Sequence, residues 1–236
     1  MRRRAKFLLF ELDPSPSRPG VLMGHLGMTG RIHVQPRDAT IPRHSVVILD
    51  LGSDRLVFED VRRFGRFHLD ADALRTLGPE PLDAGFSPEV LGNRLGKSRR
   101  HIKDRLLDQT VVAGLGNIYA SEALFRARIS PVTPTRRLEP QSIRRLWCSI
   151  RETLDEAIDR GAAVLLGPNG ERERLFHHRM ANGAETQSGI SVFRVYDREN
   201  LPCGDCGTAI TRLRQSGRST YYCPVCQLVQ CADISD

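Results

Sequence analysis

The 236-residue chain has almost no lysine: Lys6, Lys97 and Lys103 stand alone, and every other basic side chain is arginine. It is also poor in aromatics, at 6%, with a single tryptophan. No run of 18 apolar residues occurs, which excludes an apolar helix spanning a membrane. The start runs from basic to apolar, but Glu11 and Asp13 follow at once and no small-residue cleavage site appears. It reads as a strand rather than a signal peptide, and a cytoplasmic location is expected. What the chain does have is ordinary for a globular protein of one to three domains, with 40% apolar and 27% charged residues. The net charge of +7 and pI near 9.4 point to a polyanionic partner, most commonly nucleic acid. Arginine's planar fork suits phosphate, although genomic base composition also enriches it.

Four of the six cysteines form two Cys-x2-Cys pairs, Cys203/Cys206 and Cys223/Cys226, sixteen residues apart. Each pair can present two thiolates to one tetrahedral ion, so a structural zinc is expected. With all four positions filled by protein, the metal has no open site for catalysis. Ser216-Gly217 marks a hairpin turn between the pairs. So small a unit folds on metal-binding energy. Arg212, Arg214 and Arg218 ride on that hairpin, where they can face phosphates.

Elsewhere the pattern changes along the chain. Short apolar runs at Phe7–Phe10, Val21–Met23, Val46–Leu51, Leu56–Phe58 and Phe67–Leu69, divided by turns such as 13–17 and Gly52-Ser-Asp, predict an antiparallel β-sandwich or barrel. Ser87-Pro88-Glu89 predicts a helix start. Further helices are expected over 99–107, from Asn117 to Arg128, and over 140–160. In the last, Ile143, Leu146, Trp147, Ile150, Leu154 and Ile158 recur at helical spacing and read as core. Residues 167–190 read as a long polar loop whose adjacent His177 and His178 are solvated rather than metal-bound.

Several segments together resemble one family, the formamidopyrimidine-DNA glycosylases, which include endonuclease VIII. They are Arg3-Arg-Ala-Lys6, His25-Leu-Gly-Met28-Thr-Gly30, Arg62-Arg-Phe-Gly65, Leu77-Gly-Pro-Glu-Pro-Leu82, Ile102-Lys103, Gly114-Leu-Gly-Asn-Ile-Tyr-Ala-Ser-Glu122, and the finger with Gly217-Arg-Ser-Thr-Tyr-Tyr-Cys223. The resemblance implies an α+β multidomain fold. Its parts are an N-terminally incomplete antiparallel β-sandwich over 1–75, a helical helix–two-turn–helix domain with a lesion-covering loop over 76–195, and a four-cysteine zinc-finger β-hairpin over 196–230. It implies damaged double-stranded DNA as partner, one structural zinc, a monomer, and bifunctional glycosylase and abasic-site lyase activity on oxidised purines such as 8-oxoguanine and formamidopyrimidine. Such enzymes flip the damaged base out of the stack and fill the gap with side chains. By resemblance Met28, Arg62 and Phe64 are those wedges. His25, His44, Arg63, Lys103, Asn117 and Arg218 match DNA-contacting positions. Read without the resemblance, Met28 and Phe64 are β-core residues and Asn117 is an ordinary helix cap.

The family's nucleophile is an N-terminal proline followed by glutamate, forming an imine with the sugar. This sequence begins several dozen residues inside that pattern, just before the hairpin lysine. The candidates for catalysis are therefore Lys6, which matches a lysine assisting β-elimination, and Arg218, which matches the acid of the second elimination. The expectation is a start upstream of Met1; the alternative is a catalytically impaired protein that binds damaged DNA or abasic sites.

Overall fold

The computed structural model describes residues 1–12, 20–69, 72–159 and 193–228. They divide into two compact units: the N-terminal strands through Arg75, and residues from Thr76 to Ala157 joined by the described residues after Thr186.

The first unit is all β. Its strands are β1 (Arg2–Arg4), β2 (Phe7–Glu11), β3 (Val21–His25), β4 (Arg31–Pro36), β5 (Ser45–Asp50), β6 (Asp54–Glu59) and β7 (Arg66–His68). Two antiparallel sheets form, in the orders β1-β2-β3-β7 and β4-β6-β5. Phe58 of one sheet is buried against Phe67 of the other, with ring centroids 5.1 Å apart; Met23 of β3 and Val57 of β6 are also buried. The expected antiparallel arrangement is present. The five expected strands appear, with Leu69 falling just beyond the last. β1 and β4 are additional to the expected set. β1 is three arginines, held by pairing with β2 rather than by burial. β4 (RIHVQP) carries only two strongly apolar residues, because it is half solvated. The expected turn at 13–17 lies outside the described residues, as does the 167–190 loop.

The second unit is built on helices. Ser87 caps α1 (Pro88–Leu95) by accepting the Val90 amide, with proline at the first turn, as the sequence indicates. α2 (Ile102–Leu107) starts later than expected, with His101 at its N-cap position but making no side-chain capping bond. α3 (Asn117–Arg126) ends before Arg128, which adopts φ 59° and turns the chain. The amphipathic α4 (Pro140–Asp159) buries Leu146 and Ile150 against Leu91, Ile102, Leu106 and Leu124. Each such aliphatic side chain contributes about 2 kcal/mol on leaving water. Ile143, Trp147 and Leu154 flank that core, but Ile158 is 55% exposed, so the stripe stops one turn early. The Trp147 indole donates to the Phe86 carbonyl. The finger hairpin follows as β8 (Thr211–Gln215) and β9 (Arg218–Tyr222). Ser216 and Gly217 have φ of 47° and 78°, the signature of a type I′ turn.

Candidate nucleic-acid interface and zinc centre

In the first unit two loops converge. One follows β3 and carries Met28; the other follows β6 and carries Arg62, Arg63 and Phe64. Their backbones touch: a Cβ added at Gly27 would lie 2.7 Å from the Gly65 nitrogen and from the Phe64 carbonyl carbon. Only glycine fits there, and its φ of +66° favours glycine as well. Between the loops sits Asp60, 1% exposed. Its carboxylate accepts the Thr29 hydroxyl at 2.5 Å, the Gly65 amide at 2.7 Å and the Arg62 amide at 3.2 Å. Burial pushes its pKa up, but hydrogen bonds from Thr29, Gly65, Arg62 and Phe64 outweigh that and hold it below the ordinary value.

On this frame Met28 and Phe64 are 64% and 51% exposed, so neither is a core residue. The Arg62 guanidinium lies 4.8 Å from the Phe64 ring centroid. His25 ends β3, accepts the Gly27 amide on Nδ1 and packs against Phe7. Burial, and then the charges of Lys6 and Arg66, lower its pKa. Lys6 is at the tip of the β1–β2 hairpin, next to Ala5 in a left-handed conformation. His44 is exposed, and its carbonyl accepts the Asp60 amide at 3.0 Å. Lys6, His25, Met28, His44, Arg62, Arg63 and Phe64 thus all belong to one compact unit.

The second unit gathers Lys103, Asn117 and Arg218. Gly116, not Asn117, occupies the cap position of α3. The Asn117 side chain instead donates to the Ser219 carbonyl of the finger at 3.0 Å. Its amide carries a second N–H, so it can hold Ser219 and another acceptor together. The first backbone amides of α3 have no intrahelical partner and favour an anion. Lys103 is 1% exposed; its ammonium donates to Thr220 Oγ1 at 2.8 Å and to the Ser219 carbonyl at 3.4 Å. Burial drives its pKa down to about 7; Asp104 pulls it back up, and Arg218 pushes it further down. Arg218 is exposed at the start of β9, as are Arg212 and Arg214 on β8, with Arg212 engaged by Glu199.

The four finger cysteines bring their sulfurs within 4.8 Å of one another. Cys203–Cys226 and Cys206–Cys223 lie 3.9 and 3.5 Å apart. Tetrahedral zinc with four thiolates sets sulfurs about 3.8 Å apart. The donor set fits a structural zinc site. The Cys226 amide points at the Cys223 sulfur, where it stabilises thiolate charge.

Residues that sequence reasoning missed hold this finger in place. Gln227 accepts the Cys223 amide and donates to the Ile129 carbonyl. Gln215 donates to the Pro131 carbonyl. Glu122, 7% exposed on α3, accepts the amides of Arg194, Val195 and Tyr196, the segment leading into the finger. Apart from the Cys223 amide, the partners named lie 72–98 residues away, so no local pattern marks these contacts.

Comparison with known proteins covers the same ground. The formamidopyrimidine-DNA glycosylase N-terminal domain matches residues 1–67, the formamidopyrimidine-DNA glycosylase H2TH domain residues 77–166, and the zinc finger found in FPG and IleRS residues 200–229. A formamidopyrimidine-DNA glycosylase of Chloroflexus aurantiacus is 42% identical over 233 residues, spanning 96% of this chain and 78% of the relative. One from Desulfitobacterium hafniense is 38% identical over 235 residues, spanning 97% and 81%. The crystal structure of the Lactococcus lactis enzyme, non-covalently bound to DNA containing an abasic site, matches with a TM-score of 0.75 at 33% identity, over 96% of this chain and 80% of that one. A structure of MutM with DNA containing carbocyclic 8-oxo-G matches with a TM-score of 0.77 at 32% identity and the same coverage.

Proposed function

The chain belongs to the formamidopyrimidine-DNA glycosylase family, and from that premise we propose how its residues carry out DNA repair. Family membership makes it a DNA-repair glycosylase and lyase with a structural zinc finger. The finer reading is excision of an oxidised purine, 8-oxoguanine or formamidopyrimidine, followed by strand cleavage through elimination. Met28, Arg62 and Phe64 enter the space left by the flipped base. His25, His44, Arg63, Lys103, Asn117 and Arg218 hold the DNA backbone around it. Lys6 and Arg218 assist the elimination steps, Lys6 as an amine near the lesion and Arg218 as a proton donor. The functional segments are residues 1–75, 76–195 and 196–230.

One observation carries this reading. Two large apolar side chains, Met28 and Phe64, stand in solvent on loops locked together at their backbones. Exposed apolar side chains presented together on a rigid frame suit an apolar partner. A base stack supplies one, and Arg62 above Phe64 can hydrogen-bond an orphaned base. The protein acts as a monomer on DNA in the cytoplasm. No described helix is long and apolar enough to cross a membrane.

Borohydride trapping on a duplex with a single 8-oxoguanine tests the chemistry. A covalent adduct together with strand cleavage supports it. Tight binding with neither adduct nor cleavage replaces it, for the 236-residue chain, with a damaged-DNA binding role.

A further inference from the structure

Three side chains from two loops must enter a base stack together. Loops that were free to move would have to be ordered at the moment of insertion, which weakens binding. These loops are not free. The Asp60 carboxylate bonds to Thr29 beside Met28, and to the amides of Arg62 and Gly65 on either side of Phe64. The Thr29 hydroxyl also lies 3.4 Å from the Arg62 amide, a second link between the loops. The Asp60 amide is itself held by the His44 carbonyl, and the Arg63 amide donates to the Asp60 carbonyl. Among the described residues, no arginine or lysine side chain bonds to the Asp60 oxygens, which is unusual for a carboxylate so nearly fully buried. Its negative charge is balanced by O–H and N–H donors drawn from both loops. That arrangement fixes the loops relative to each other more than it fixes the sheet.

We propose that Asp60 is a positioning residue that fuses the Met28 loop and the Arg62–Phe64 loop into one preformed insertion unit, with Thr29 as its link to the first loop. The inference rests on the wedge reading of Met28, Arg62 and Phe64. Asp60 touches neither base nor sugar; it acts by holding the three wedges at fixed separation. Asparagine at this position keeps the shape but turns an amide N–H toward one of the N–H or O–H donors, so one side of the joint opens.

The test uses the full chain and a duplex carrying 2-aminopurine opposite a tetrahydrofuran abasic-site analogue. Insertion unstacks the reporter base and raises its fluorescence. Met28→Ala, Asp60→Asn, Thr29→Val and Thr29→Ser are compared, with zinc content and thermal unfolding recorded for each. Asp60→Asn is expected to lose most of the fluorescence rise and to lower the preference for abasic over intact duplex about tenfold, the worth of a lost hydrogen bond to a charged group. Thr29→Val follows it in part, and Thr29→Ser restores the signal. If Met28→Ala loses the signal while Asp60→Asn keeps it, the role of Asp60 is overturned and the wedge reading stands. If Met28→Ala keeps the wild-type signal, the wedge reading itself falls. Should Asp60→Asn fail to fold, Thr29→Val decides: it removes one hydroxyl, and a wild-type fluorescence rise in it overturns the proposal.

Discussion

The two candidate binding regions are built by opposite means. In the β unit, the side chains expected to meet DNA stand clear of the protein: Met28 and Phe64 are more than half exposed, and a hidden frame of Asp60, Thr29 and glycine backbone holds them. In the helical unit, Lys103 and Asn117 are themselves part of the frame, both donating to the Ser219 carbonyl of the finger. Substitutions at the exposed set can therefore remove binding without touching stability. Substitutions at Lys103 or Asn117 disturb the docking of the finger as well as any phosphate contact, and the two effects must be measured apart.

The largest effect is expected at the metal. Cys206→Ala should release zinc and unfold the hairpin, removing most duplex affinity, because metal binding is this unit's folding energy. Metal analysis of the purified variant checks it; stoichiometric zinc in Cys206→Ala breaks the ligand assignment. Next is Glu122→Ala, which strands three backbone amides. Each buried group left unpaired costs roughly 1–3 kcal/mol. A large drop in unfolding midpoint is expected, and a midpoint within a degree of wild type would show that the segment entering the finger is held by something else. Asn117→Ala should weaken binding to abasic DNA about tenfold at matched salt, the value of one hydrogen bond to a charged group. Unchanged affinity would leave Asn117 as a brace for the finger alone and sharpen the contrast with Met28.

A separate effect, on stability rather than on binding, is a pH dependence. Lys103 in the folded protein titrates near pH 7, well below the 10.5 usual for lysine. Between those values the unfolded chain holds a proton that the folded one has released, so rising pH favours folding. Below pH 7 the cost of burying the ammonium is fully present. Wild-type stability should therefore gain on that of Lys103→Met as pH rises from 7 toward 10. Parallel pH profiles for the two proteins would mean that Lys103 stays charged in its buried site.

Much of this was legible in the sequence, for local reasons. The Cys-x2-Cys spacing defines the zinc ligands because a single turn presents two thiolates. Ser87-Pro88-Glu89 starts a helix because cap and dipole act within one turn. The wedge and phosphate residues came from resemblance, not from pattern: alone, Met28 and Phe64 read as core and Asn117 as a cap. The structure shows both side chains exposed and gives the cap to Gly116. What stayed hidden is long-range. Asp60 meets Thr29 across 31 residues, and Gln227 meets Ile129 across 98. An aspartate or glutamine that stitches distant segments looks like any polar surface residue. β4 escaped for a related reason: a half-solvated strand needs few apolar residues, so its run is too weak to register.

The proposed function requires recognition of a damaged site rather than of DNA charge. With a net charge of +7, the chain will bind any duplex at low salt. The decisive measurement is fluorescence anisotropy with two duplexes that differ only in one tetrahydrofuran abasic-site analogue, titrated at physiological ionic strength. A clear preference for the abasic duplex, lost in Met28→Ala and kept as salt rises, is the predicted result. Equal affinity for the two duplexes across the salt range would contradict it.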